Sequence, residues 1–183
     1  MLLNSRNNLF VFNFPKQFMP KEIADKYRKY LNRIPGNVIE EPLDFLNYTI
    51  QSINLPGMGY EPVTQMQKPG RNMIYRDTKP VQELFQKEFN ITFQLVDGYI
   101  NYWMLMDILN YYYRFDLVKR HLDDLNVRVQ DSEGNVLVTA RVMGPLFTKL
   151  GDLSMSFADN VAEFKTFDIT IAYNEFQVVI END

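Results

Sequence analysis

The chain has 183 residues, 46% hydrophobic and 23% charged, with no cysteine and one histidine, which is enough for one domain whose core needs no metal or disulfide. Lack of cysteine excludes a disulfide framework, a thiolate nucleophile and cysteine-bound zinc, and His121 alone cannot form a histidine pair on a metal. The net charge of −4 is unevenly spread: from Gly151 to Asp183 the acids Asp152, Asp159, Glu163, Asp168, Glu175, Glu181 and Asp183 outweigh the single base Lys165, a balance that repels a phosphate backbone.

In chain order, Met1 to Phe14 lacks the basic start and apolar core of a signal peptide. Leu9 to Phe14 is apolar at nearly every position and predicts a short buried strand ended by Pro15. Met19 to Ile34 predicts a basic amphipathic helix. Ile23, Tyr27, Tyr30, Leu31 and Ile34 recur at helical spacing, and Lys21, Lys26, Arg28, Lys29 and Arg33 occupy the remaining surface. Pro20 suits the first turn, and Pro35-Gly36 ends the helix. Leu46 to Ile53 has strand chemistry and leads into Asn54 to Gly59, a turn-forming loop carrying the apolar Leu55 and Met58.

Tyr60 to Pro80 is a Pro/Gly-rich excursion that fits a hairpin with Lys68-Pro69-Gly70-Arg71 at its tip. Val81 to Lys87 is compatible with either a short helix or a strand. Phe89 to Val96 alternates Phe89, Ile91, Phe93 and Leu95 with Asn90, Thr92 and Gln94, the pattern of a half-buried strand. After Asp97-Gly98, Tyr99 to Tyr113 reads as a helix with Leu105, Ile108, Leu109 and Tyr112 on one face and Asp107, Asn110 and Arg114 opposite. Asn101, Asp107 and Asn110 interrupt this longest apolar run, which is too short to cross a bilayer, so the chain reads as a soluble protein made in the cytosol. Phe115 to Asp124 is a charged connector. Asn126 to Gln130 and Asn135 to Met143 are strands joined at Asp131-Ser132-Glu133-Gly134. Gly144-Pro145 breaks the second of them and Leu146 to Leu150 crosses over. Lys165 to Tyr173 alternates cleanly, Asn174-Glu175 turns, and Phe176 to Ile180 is the last strand.

No catalytic constellation emerges, and no cofactor is expected. Gly57-Met58-Gly59 lacks the third glycine and following helix of a dinucleotide loop, and Asp131 to Asn135 has the wrong spacing for a calcium loop. Asp123-Asp124, Glu40-Glu41 and the surroundings of His121 read as solvated surface. Trp103 shares the polar stripe of its helix with Asp107 and Arg114, which suits either a subunit contact or a loop folded over it within one copy. An enzyme is the weaker reading. A small binding module would need an apolar pocket beneath Trp103 and Tyr111 to Tyr113.

The order of elements resembles the tail tube proteins of contractile-tailed bacteriophages. The resemblance is carried by the strand Asn8 to Phe14, the strand and loop Tyr48 to Gly57 with Leu55-Pro56-Gly57, the Pro/Gly-rich excursion, and the strand-plus-helix Phe89 to Tyr113. It continues through the hairpin Asn126 to Met143, Gly144-Pro145-Leu146-Phe147, Leu150 to Phe157 and Phe164 to Tyr173. It implies a mainly β fold, an antiparallel β-sandwich or partly closed barrel flanked by one central helix. Identical copies, six or in a variant twelve, would form a ring around a bore, as part of a virion tail tube or channel through which DNA passes without specific binding. Other phage tail proteins would be the partners, with no membrane and no catalysis. The tube of the type VI secretion system is similar to this family, and single-ring connectors and baseplate hubs use the same fold.

On this reading Leu55, Pro56, Met58, Trp103, Asp107, Arg114 and Phe147 are candidates for subunit contacts, and Thr166, Asp168 and Thr170 for facing the bore. The departure from the family pattern is Pro15 to Asp44, a helical insertion between the first strands. It is expected to decorate the ring or to contact a different neighbour, so that its deletion leaves rings that form but fail to dock to the adjoining tail component.

Overall fold

The structure is a computed structural model that describes residues 9–33, 38–57, 63–66, 73–76, 87–115, 122–153 and 165–180. Its strands are β1 (Phe10–Phe12), β2 (Ile50–Asn54), β3 (Val63–Met66), β4 (Met73–Arg76), β5 (Glu88–Gln94), β6 (Leu125–Gln130), β7 (Val136–Met143), β8 (Leu146–Leu150), β9 (Thr166–Ala172) and β10 (Glu175–Ile180). The helices are α1 (Lys21–Leu31), α2 (Pro42–Tyr48) and α3 (Ile100–Phe115).

Two four-stranded antiparallel sheets form an open sandwich, the first ordered β1-β6-β7-β10 and the second β2-β5-β9-β8, while β3 and β4 pair as a separate hairpin. Neither sheet is closed into a barrel, and the partly closed alternative is set aside. The alternation of β5 and β9 explains the second sheet. Phe89, Ile91 and Phe93 lie opposite Ile171, Ile169 and Phe167, and all six are buried. The Phe93 and Phe167 rings stack with centroids 5.3 Å apart. Their polar neighbours Asn90, Thr92, Thr166, Asp168 and Thr170 share the opposite face, where the Thr170 hydroxyl donates to Asn90 Oδ1 at 2.9 Å.

The chain changes sheet at two adjoining corners. Between β7 and β8, Gly144 takes φ +58°, a left-handed conformation that favours glycine, and a Cβ there would lie 2.4 Å from Asn174 Nδ2. Between β9 and β10, Asn174 donates its backbone N–H to Met143 O at 3.1 Å. Leu146 to Leu150 is thus both a crossover and a strand, β8, paired with β9.

Two expectations are corrected. The segment read as strand from Leu46 begins as helix α2, because Pro42 at the first helical turn fixes a helical φ and Asp44 favours the helix N-terminus. Phe45 and Leu46 then bury against the core, and Thr49 closes the end with its N–H and hydroxyl on Leu46 O. The insertion Pro15 to Asp44 is also no detachable decoration. Phe18 and Leu31 are fully buried, and Met19, Ile23 and Tyr27 are buried with them. Phe14 stacks on Phe18 at 4.0 Å, and Phe18 reaches Phe147 at 6.3 Å. The helix spacing at Ile23, Tyr27 and Leu31 therefore marks a core face, whereas Tyr30 is 56% exposed.

Helix α3 covers the core with Met104, Leu105 and Ile108, all fully buried, and with Tyr112. Its entry is unusual. Gly98 (φ +71°) and Tyr99 (φ +56°) both adopt left-handed conformations, and the buried Asn101 side chain ties the entry down. Asn101 Nδ2 donates to Gln94 O at 2.6 Å, joining the end of β5 to the start of α3.

Candidate assembly surfaces

The residues expected at subunit contacts fall in different environments. Leu55 is 41% exposed in the loop after β2 and Pro56 beside it is half-buried. Met58, the hairpin tip 68–71 and His121 lie outside the described residues. Trp103 is 41% exposed on α3, its ring set edge-on to Tyr102 at 5.5 Å. Asp107 is engaged within its own subunit, because its Oδ2 accepts from Tyr27 Oη at 2.8 Å and from Lys26 Nζ. That carboxylate clamps α1 onto α3, and burial, with the Asp107 hydrogen bond and charge second to it, raises the Tyr27 pKa well above the usual phenol range. Arg114 is exposed and borders a shallow cleft with Lys26, Asp107, Asn110 and Tyr111.

Phe147 is corrected: at 2% exposure it belongs to the core, because β8 turns its odd-numbered aromatic inward against Phe18 and opposite Ile171. On the core side of the same helix Leu105 and Ile108 are fully buried, and the Tyr112 ring is engaged within the subunit, since its Oη donates to Gln17 O at 2.7 Å and lies 3.1 Å from Phe18 O. Burial, first among the causes, pushes the Tyr112 phenol up to about 12.

Thr166 and Asp168 are exposed and Thr170 half-buried on the outer face of the second sheet. Asn54 and Ser52 of β2 lie opposite Asn90 and Thr92 of β5, which continue across to Thr170 and Asp168 of β9. The result is a surface of hydroxyls and amides with few charges. At its margin a shallow concavity is lined by Lys87, Glu88, Asn90, Thr148, Lys149 and Thr170.

One surface escaped the sequence reading. In β10 the side chains Val178, Val179 and Ile180 are 58%, 40% and 67% exposed, and Leu137 on the neighbouring β7 is 49% exposed. The signal was present, since three consecutive apolar residues end a strand that should alternate. At the opposite edge of the same sheet, a groove of about 680 Å³ separates β1 from α2 and β2. Among the described residues no group of three or more His, Asp or Glu side chains could hold a metal ion, and no helix is long and apolar enough to cross a membrane.

No known protein family matches the sequence, and no curated protein does either. The fold, however, superposes on a chain of the anti-feeding prophage cap, described as the AFP tube-terminating cap, with a TM-score of 0.56 and 14% identity over 99% of this chain and 94% of that one. The chain has a tail-tube-like fold. A chain of the anti-feeding prophage baseplate, solved with 6-fold symmetrisation, is also similar, with a TM-score of 0.50 and 8% identity over 98% of this chain and 97% of that one. The sheath/tube terminator of the extracellular contractile injection system PVC scores 0.45, at 12% identity over 71% of this chain and 84% of that one. The tail-tube-like fold thus spans the described chain from β1 to β10, with α1 and α2 placed between the first two strands.

Proposed function

We propose that the chain is a structural subunit of a tail-like tube, and that it forms a closed ring of six identical copies that caps or connects such a tube. The observation that carries this reading is the end-to-end correspondence with the AFP tube-terminating cap, covering 99% of this chain and 94% of that one. The two open sheets support it, because unclosed sheet edges in a lone molecule invite pairing with another chain, and a ring puts them to use. No catalytic role is assigned.

In the ring the polar face bearing Thr166, Asp168 and Thr170 lines the bore, and Leu55, Pro56, Met58, Trp103 and Arg114 contribute contacts to neighbours. A bore of hydroxyls, amides and scattered acids lets a polyanion such as DNA pass without trapping it. The partners are then other proteins of the tail, and the location is the assembled tail particle. A single terminal ring is favoured over a repeating tube subunit because the correspondence is with a cap. Negative-stain electron microscopy of the purified protein tests this. Discrete single rings are expected, open-ended tubes would move the assignment to the repeating subunit, and monomers persisting at high concentration would refute it.

A further inference from the structure

The joint between β5 and α3 holds the chain's only Asp-Gly pair, Asp97-Gly98. In such a pair the side-chain carboxyl meets the next backbone nitrogen with the least hindrance, because glycine has no Cβ to crowd that nitrogen. Whether the two react in a folded chain depends on whether either group is committed elsewhere, and here neither is. Both residues are exposed. Among the described residues the Asp97 carboxylate accepts no hydrogen bond and the Gly98 N–H finds no acceptor. A Cβ built on Gly98 would approach only Ile100 Cγ1, at 3.7 Å, so the surroundings of the pair are open.

Tyr99 N–H donates to Val96 O at 2.8 Å, closing a single tight turn over Asp97 and Gly98. Within that turn Gly98 and Tyr99 sit at φ +71° and +56°, and the left-handed conformation costs energy at the tyrosine, so no favourable local geometry opposes a rearrangement of the backbone. Asp131, which precedes the small residue Ser132, is the contrast. Its Oδ1 accepts from the N–H groups of Glu133 and Asn135, and its Oδ2 from Asn135 Nδ2 at 3.1 Å, so both oxygens are engaged with other donors.

We propose that Asp97-Gly98 is a self-modifying joint, at which the folded chain converts its own peptide bond into an isoaspartyl linkage with water as the only co-reactant. The Gly98 nitrogen attacks Asp97 Cγ. A C–N bond forms as the Cγ–OH bond breaks, and the proton of the nitrogen leaves with the hydroxyl as water, giving a cyclic imide. Water then adds to the original backbone carbonyl of Asp97, and the bond from that carbon to the Gly98 nitrogen breaks. The nitrogen regains a hydrogen, the backbone carbon becomes a free carboxylate, and the chain continues through Cγ. Composition is unchanged and nothing is oxidised or reduced. The main chain is now one methylene longer inside the turn that Tyr99 N–H closes on Val96 O, so α3 loses its fixed start.

The test stores the folded protein for weeks in heavy-oxygen water at about pH 6 and about pH 8, beside an Asp97→Glu variant and a synthetic peptide of residues 94–101. Digests are assayed with an isoaspartyl-specific methyltransferase and by mass spectrometry. The expected product is an isoaspartyl peptide at Asp97 that carries one heavy oxygen and is absent from the glutamate variant. It forms faster at the lower pH, where more of a carboxyl is the neutral acid that can lose water, whereas deamidation of an asparagine speeds up with rising pH. Its rate in the folded protein is expected within about tenfold of that in the peptide, and the urea midpoint of the aged parent falls while that of aged Asp97→Glu does not. No isoaspartate at Asp97 in the folded chain, or a rate more than about tenfold below that of the peptide, would overturn the proposal. Conversion with an unchanged midpoint would overturn its effect on α3.

Discussion

Replacing Leu31 by alanine asks whether the segment between β1 and β2 belongs to the cooperative core. Leu31 is fully buried at the last turn of α1, on the face it shares with Ile23 and Tyr27. Truncating such a leucine removes its transfer free energy and leaves a cavity that surrounding groups only partly refill, at a cost of about 2 to 5 kcal/mol. For a chain of this size each kcal/mol moves the melting temperature by about 2 to 4 °C, so a loss of 3 kcal/mol lowers it by roughly 6 to 12 °C. Tyr30→Ala one residue earlier, at 56% exposure, is expected to stay within about 0.5 kcal/mol. Urea unfolding followed by the fluorescence of the single Trp103 and by circular dichroism measures both variants. The tryptophan reports from α3, so a shift at that probe means that α1 and α3 unfold together. A Leu31→Ala midpoint indistinguishable from that of Tyr30→Ala would refute the placement of α1 in the core.

Asn101→Ala removes a buried amide that holds Gln94 O, and is expected to cost about 1 to 3 kcal/mol, read as a lower urea midpoint. Gly144→Ala forces a Cβ onto a left-handed backbone against Asn174, costing about 1 to 2 kcal/mol for the backbone alone. Adding Asn174→Ala should recover the clash but not that backbone share, which a double-mutant cycle resolves. Tyr27, Tyr112 and Tyr173 all have folded pKa values raised by burial. The unfolded chain therefore releases these protons first as pH rises, and the stability present below about pH 10 falls through the window up to about 12 at Tyr112. Tyr112→Phe should flatten part of that alkaline decline in a series of urea midpoints, and an unchanged slope would show that its burial does not govern it.

The sheets were legible where a strand buries one face and exposes the other. β5 and β9 alternate because one side meets the core and the other water, and both were readable residue by residue. The hairpin around Asp131 to Gly134 was readable because Asp131 Oδ1 accepts the N–H groups of Glu133 and Asn135 at 2.8 and 2.9 Å, an arrangement that the residue types announce. α2 was hidden because its seven residues are too few for helical periodicity to separate from strand alternation. The role of α1 was misjudged for another reason: a basic amphipathic helix looks the same whether its apolar face meets a neighbour or its own core, and that depended on Asp107 lying eighty residues away from Tyr27. Phe147 was a candidate subunit contact on the family resemblance, but the Gly144-Pro145 break leads β8 into the second sheet, where the Phe147 ring is buried. The apolar run at the end of β10 could have been noticed, while the groove beside β1 exists only once β1 is brought alongside α2 and β2.

The paired corners at Gly144 and Asn174 have a mechanical consequence. β7 passes into β8 and β9 into β10 beside each other, so covalent backbone stitches the two layers together twice at one end. A load that tries to shear one layer past the other there must stretch peptide bonds as well as slide side chains.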